Sequence, residues 1–162
     1  MRAMRDVPAR LLLGGEGPLG SELRGLARET GADVEFVGRI SEADLPAYYY
    51  ASEVFCLPSV DQTEAFGLVQ AEAMACGIPI VNTSLDNGVN ELAPDNVCAI
   101  SVKVGDSKQL AKALRGLLAN EEVRCRLGAA GRERVGALYT IDSMVNQTLC
   151  LYEKLLGSRR KH

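Results

Sequence analysis

The chain has no tryptophan, and its only histidine, His162, is the last of 162 residues. That excludes a histidine-based nucleophilic triad and removes the imidazole ligands of most transition-metal sites. Aromatic residues make up 5% of the chain, too few for a base-stacking platform. Basic excess is missing too: the formal net charge is -3 and the isoelectric point about 5.3. Neither nucleic acid nor an anionic membrane surface meets an attractive field here, so an anionic ligand must be held locally. No apolar run reaches the ~18 residues of a membrane span, and the opening MRAMRDVPAR lacks a signal-peptide core. The sequence reads as cytoplasmic. The five cysteines, Cys56, Cys76, Cys98, Cys125 and Cys150, are odd in number and contain no CxxC pair. They are expected to be reduced thiols, mostly in the core, and neither a zinc site nor a redox couple. Chemistry is left to carboxylates, backbone amides or a bound small molecule.

What is present suffices for one domain spanning 1–162. At 47% hydrophobic and 24% charged, the chain is able to bury a core of its own. Apolar strands alternate with amphipathic helices. RLLL at 10–13 feeds the turn GGEGPLG, and Leu19 to Thr30 reads as a helix stopped by Gly31. Val34 to Val37 is a second strand. Ser41 to Asp44 has the form of a capping box ahead of a helix reaching about Ser52, and Val54 to Leu57 is a third strand. A helix from about Phe66 leads to the strand Ile78 to Val81, a short element near Val89 to Leu92 and a strand at Cys98 to Val102. Three helices follow, beginning at Asp106, near Val123 and at Ile141, and the basic tail GSRRKH reads as a solvated end. This order implies an α/β fold, a Rossmann-like parallel sheet with helices on both faces. Ligands of such folds lie beyond the carboxyl ends of the strands.

Two stretches qualify as sites. Gly15, Gly17 and Gly20 match G-x-G-x-x-G between a strand and a helix, which suits a nicotinamide-dependent oxidoreductase. Pro18 removes an amide from that turn, however, and Glu35 lies inside the next strand where a ribose-binding carboxylate should close it. A plain tight turn is the simpler reading. The second stretch, Thr63 to Asn82, carries Glu64 and Glu72 eight positions apart. With the helix starting near Phe66, Glu64 sits before the first turn, where free amides and the helix dipole favour an anion such as a diphosphate. Eight residues of helix would part the carboxylates by about 12 Å, comparable to the span from sugar ring to ribose in a nucleotide diphosphosugar. The bland alternative is a carboxylate complementing a helix dipole and another in solvent. Ala71, Ala73, Ala75 and Cys76 argue against it, because they describe a helix pressed onto a sheet.

EAFGLVQAEAMACGIPIV resembles the E-x7-E signature of retaining glycosyltransferases of the GT-B fold, in particular family 4, the glycosyl transferases group 1. LLLGGEGPLGSELRGLA and VEFVGRISEADLPAYYYASEVFCLPS resemble that family's preceding elements in the same order. The resemblance implies the C-terminal, donor-binding half of the fold. It implies a catalytic Glu64 on the donor sugar, the amides of Ala65, Phe66, Gly67 and Leu68 on sugar and diphosphate, Glu72 on the ribose, and Arg39 and Ile40 beside the base. The substrate would be a UDP- or GDP-linked hexose, SLDNGVNEL resembling the loop of mannose- and rhamnose-transferring members, and the acceptor a glycan or lipid-linked glycan, with no metal and no cofactor. A non-catalytic nucleotide-binding or interaction module is the other alternative.

One departure bears on partners. The family's first strand, with its Gly-Arg turn and Lys-Gly helix start, has no counterpart before Arg10, and the N-terminal acceptor domain is missing as well. The chain is therefore expected to be N-terminally truncated and inactive alone. Its sheet should carry a gap between the strands at 10–13 and 54–57. Three outcomes are open: direct pairing of these strands, a makeshift strand from Ala3 to Arg10, or closure by a partner such as a second copy.

Overall fold

The computed structural model describes residues 1–159, with side chains to 156. Arg160, Lys161 and His162 of the basic tail lie outside the described residues. Gly157 to Arg159 of that tail continue the last helix.

Strands β1 (Leu11–Gly14) and β2 (Val34–Gly38) pair in parallel, with Leu11 opposite Val34 and Leu13 opposite Phe36. Helix α1 (Gly20–Thr30) makes the crossover and ends where Gly31 turns left-handed, at φ 67°. The second sheet is β3 (Phe55–Leu57), β4 (Ile80–Thr83) and β5 (Ala99–Val102), all parallel, with β4 central. Helix α2 (Leu45–Tyr50) leads into β3, α3 (Leu68–Ala75) links β3 to β4, and α4 (Gly88–Leu92) links β4 to β5. Helices α5 (Ser107–Leu118), α6 (Glu121–Leu138) and α7 (Ile141–Arg159) follow. The expected parallel α/β architecture is present.

All four residues of β4 are buried, as a strand covered on both faces requires. Ile80 joins Ala73, Met74, Leu92 and Cys98 on one side, with α3 and α6. Val81 joins Val102, Ala111, Leu114 and Leu117 on the other, with α5. Fully burying the larger of these side chains, Ile80, Met74, Leu92, Val81 and Leu117, contributes about 1.5–3 kcal/mol each. Helix α6 reaches α3 closely only because residue 128 is glycine: a Cβ there would lie 2.0 Å from the carbonyl oxygen of Gly77.

Of the three outcomes for the sheet gap, two are excluded. β1 and β3 do not pair, and among the described residues β1 bonds to β2 alone and β3 to β4 alone. Nor does the N-terminus form a strand. Arg2–Asp6 is a 3-10 helix whose Ala3, with Val7, packs into the α5 side of the core, and Arg115 Nη1 donates to Asp6 O at 2.9 Å. Several boundaries also move. The fourth strand begins at Ile80, not Ile78, because Ile78 and Pro79 serve as the lead-in from α3. Cys98 is buried, but Cys125 and Cys150 are exposed, on helix faces the core does not use. No described helix is long and apolar enough to cross a membrane.

Candidate functional site

The loop from β3 to α3 is built by local hydrogen bonds. Thr63 donates its backbone N–H to Asp61 Oδ1 at 2.9 Å and its hydroxyl to the same oxygen, and these bonds hold the Asp61 carboxyl below its ordinary range. Glu64 then folds back, and its Oε1 accepts from the Gly67 N–H at 2.9 Å. Gly67 is the N-cap of α3 at φ 74°, a conformation that only glycine adopts without strain. A Cβ there would also lie 2.8 Å from Gln70 Nε2 and 2.9 Å from Leu57 Cδ2. Residues 63–69 enclose an open depression of about 440 Å³.

This geometry corrects the expected helix start. Helix α3 begins at Leu68, not Phe66, because the αL residue interrupts the chain between them. Only four of the eight steps from Glu64 to Glu72 are helical, a rise of about 6 Å, so a continuous helix does not set the spacing of the two carboxylates. The amide inventory changes with it. The Gly67 amide is taken by Glu64, while the Phe66 and Leu68 amides meet no acceptor among the described residues.

Glu64, Ala65, Phe66, Gly67 and Leu68 are thus brought together around one depression. Glu72 lies further along α3, exposed, with its Oε2 accepting from the Tyr49 hydroxyl at 2.8 Å. Burial first, then the hydrogen bond and charge of Glu72, raise the Tyr49 pKa well above 10.0. Arg39 and Ile40 lie beyond β2. Arg39 is exposed, whereas Ile40 packs over Gly14, where a Cβ would come within 2.8 Å of Ile40 Cδ1. No side-chain hydrogen bond or ion pair joins Arg39 or Ile40 to Glu64 or Glu72 among the described residues.

The glycine-rich turn offers less than its motif. The Gly20 amide closes onto Gly17 O at 3.1 Å, Gly15 N–H is spent on Gly38 O at 2.7 Å, and Glu35 is paired with Arg10 at 3.3 Å.

Sequence reasoning overlooked the polar scaffold beneath the loop. Gln70 and Asn82 are wholly buried. Asn82 Nδ2 donates to Gln70 Oε1 at 3.0 Å and Ala93 O at 3.1 Å, and Gln70 Nε2 donates to Val89 O at 3.2 Å. Asn82 Oδ1 accepts from Ser101 Oγ at 2.7 Å and from Asn90 Nδ2 at 3.3 Å. Asn87 caps α4 by accepting from Val89 N at 3.0 Å, and its Nδ2 donates to Glu64 O at 2.9 Å. Gly88 lies so close that a Cβ would meet Ala65 O at 2.5 Å. The signal was an asparagine in a fully buried strand, followed by an Asn-Gly pair.

Parallel strands, helices on both faces and a carboxylate-bearing loop ahead of α3 define an α/β module of the GT-B glycosyltransferase type. The sucrose-phosphate synthase of Thermosynechococcus elongatus superposes with a TM-score of 0.84 at 34% identity, over 96% of this chain and 41% of that one. The family described as "Glycosyl transferases group 1" matches residues 1–134, and the chain belongs to that family. Among curated relatives, the phosphatidyl-myo-inositol mannosyltransferase of Mycobacterium leprae is 34% identical over 161 residues, 99% of this chain and 41% of its own length. The GDP-mannose-dependent monoacylated alpha-(1-6)-phosphatidylinositol monomannoside mannosyltransferase of Corynebacterium glutamicum is 32% identical over 144 residues, 84% of this chain and 36% of its own. The chain therefore spans about two fifths of the relatives it matches.

Proposed function

We propose that this chain is the donor-binding part of a retaining family 4 hexosyltransferase that uses a nucleotide diphosphosugar. The observation that carries this reading is the joint placement of Glu64 and the open Phe66 and Leu68 amides on one depression, with Glu72 on the helix that leaves it. Glu64 has one oxygen fixed by Gly67 and the other available to sugar hydroxyls and to positive charge developing at the sugar. The open amides donate to phosphate oxygens at the helix start. Glu72 takes the ribose hydroxyls, and Arg39 and Ile40 border the base. The GDP-mannose-dependent relative favours a GDP-linked, mannose-type donor, with a glycan or lipid-linked acceptor.

No lysine or arginine occurs from Thr63 to Glu72. That stretch supplies no cation for the departing diphosphate, and preorganised charge is usually the largest catalytic contribution. The 162-residue chain alone is expected to bind a donor without transferring its sugar. Calorimetric titration tests this reading. GDP or UDP binding that weakens about tenfold in Glu72→Ala supports it, by loss of a charged hydrogen bond; heat from NAD alone, or from no nucleotide, refutes it.

A further inference from the structure

We infer that Tyr49 is a positioning residue for Glu72: its hydroxyl fixes the carboxylate so that the nucleotide's ribose meets it already oriented. The inference rests on the reading of Glu72 as the ribose acceptor and adds a residue that no part of the E-x7-E stretch contains.

The two side chains are unlike in a way that suits this division of labour. Tyr49 is 7% exposed. Its ring packs edge-on to Phe55 at 5.7 Å between centroids and sits among Ala73, Met74 and Ile78. Such a ring has one orientation, and its hydroxyl is a fixed point. Glu72 is exposed on α3, and a glutamate there samples several rotamers unless something holds it. Tyr49 is the group that holds it, at 2.8 Å. An ionised carboxylate only accepts, so the tyrosine donates. Burial and the nearby carboxylate keep the phenol protonated well past its usual range, and the donor is permanent at working pH.

The bond leaves most of the carboxylate free. A carboxylate has about four lone-pair sites; Tyr49 occupies one on Oε2, and Oε1 has no partner among the described residues. Two vicinal ribose hydroxyls, both donors, find acceptors on a group whose ordering cost has already been met within the fold. Tyr49 is buried, with its hydroxyl committed to Glu72, and acts through it.

The test is Tyr49→Phe in the full chain, which keeps the packed ring and removes only the hydroxyl. Calorimetry compares GDP with 2′-deoxy-GDP, or the uridine pair if UDP binds more tightly. Loss of one organising hydrogen bond is expected to weaken ribonucleotide binding about fivefold while changing the deoxy form little, so ribose preference shrinks by about the same factor. An equal loss for both nucleotides indicates a structural role only, and no loss for either indicates none; both overturn the inference. A ligand-free measurement stands apart from the function itself. Side-chain couplings of Glu72 by NMR are expected to report one rotamer in the wild type and averaging in Tyr49→Phe, and a single rotamer in both overturns the inference. A wild type that binds no nucleotide refutes the donor-site reading, and the couplings still decide whether Tyr49 orders Glu72.

Discussion

Asn87 joins the two loops of the site: its Nδ2 donates to the backbone carbonyl of Glu64 at 2.9 Å while its Oδ1 caps α4 through Val89 N at 3.0 Å. The substitution Asn87→Asp separates these roles. Aspartate remains a good helix cap, but it sets an acceptor against the Glu64 carbonyl. The protein is expected to fold, with affinity for GDP-mannose reduced about tenfold and affinity for GDP reduced less, because Glu64 serves the sugar. Equal affinities in wild type and variant would remove Asn87 from the site.

Asn82 is the hub of the buried polar cluster. Asn82→Ala leaves Gln70 Oε1 without its donor and Ser101 Oγ without its acceptor. Unsatisfied buried groups of this kind cost about 2–4 kcal/mol together. Urea unfolding reads the loss, and a stability within experimental error of wild type would contradict the network described.

Glycines at two helical positions should respond in opposite senses. Gly128→Ala drives a methyl group into the carbonyl of Gly77, 2.0 Å away, and is expected to destabilise by roughly 2–3 kcal/mol. Gly116→Ala, in α5, meets nothing within 4 Å and is expected to stabilise by roughly 0.5–1 kcal/mol. Paired thermal melts check both signs.

Alkaline pH should weaken the fold through Tyr49 and Cys56. Burial pushes the Cys56 thiol from 9.0 up to about 12, and Tyr49 is raised above 10.0 by burial and by Glu72. Both groups are then more protonated folded than unfolded, so their stabilisation is complete below about pH 9 and is lost as pH rises through the folded values. Unfolding free energy followed from pH 8 to 12 should fall from about pH 9 upward, with a shallower fall in Tyr49→Phe. A flat profile would dispose of both assignments.

Among the described residues β1 and β3 each keep one edge without a strand partner, and Ile141, Met144 and Leu149 on α7 are exposed; association with a second copy of the chain is the expected outcome. Sedimentation equilibrium should show a mass above the monomer that rises with concentration. A strictly monomeric mass at high concentration rules this out.

Periodicity made most of the fold legible. The αL stop at Gly31 and the buried strand behind α3 follow from local chemistry that a sequence displays. The capping box at Ser41, by contrast, does not cap α2: Ser41 Oγ accepts from the Asp44 N–H in a preceding turn, and the helix starts at Leu45 behind Asp44. The start of α3 was not legible either, because nothing around Phe66 distinguishes an N-terminal turn from a loop held open by Glu64 on Gly67. Tyr49 stayed hidden among three consecutive tyrosines. Which of them faces α3 depends on how α2 docks, and that is a tertiary fact. Asn82 and Gln70 were similarly opaque, since a polar residue in an apolar strand or on a buried helix face announces a partner without naming it.

The hook that Glu64 makes on Gly67 also bears on kinetics. A loop bonded to its own helix and to Asn87 is expected to receive a nucleotide without a slow rearrangement. Association should then be a single step governed by encounter, and rival donors should differ mainly in how long each stays.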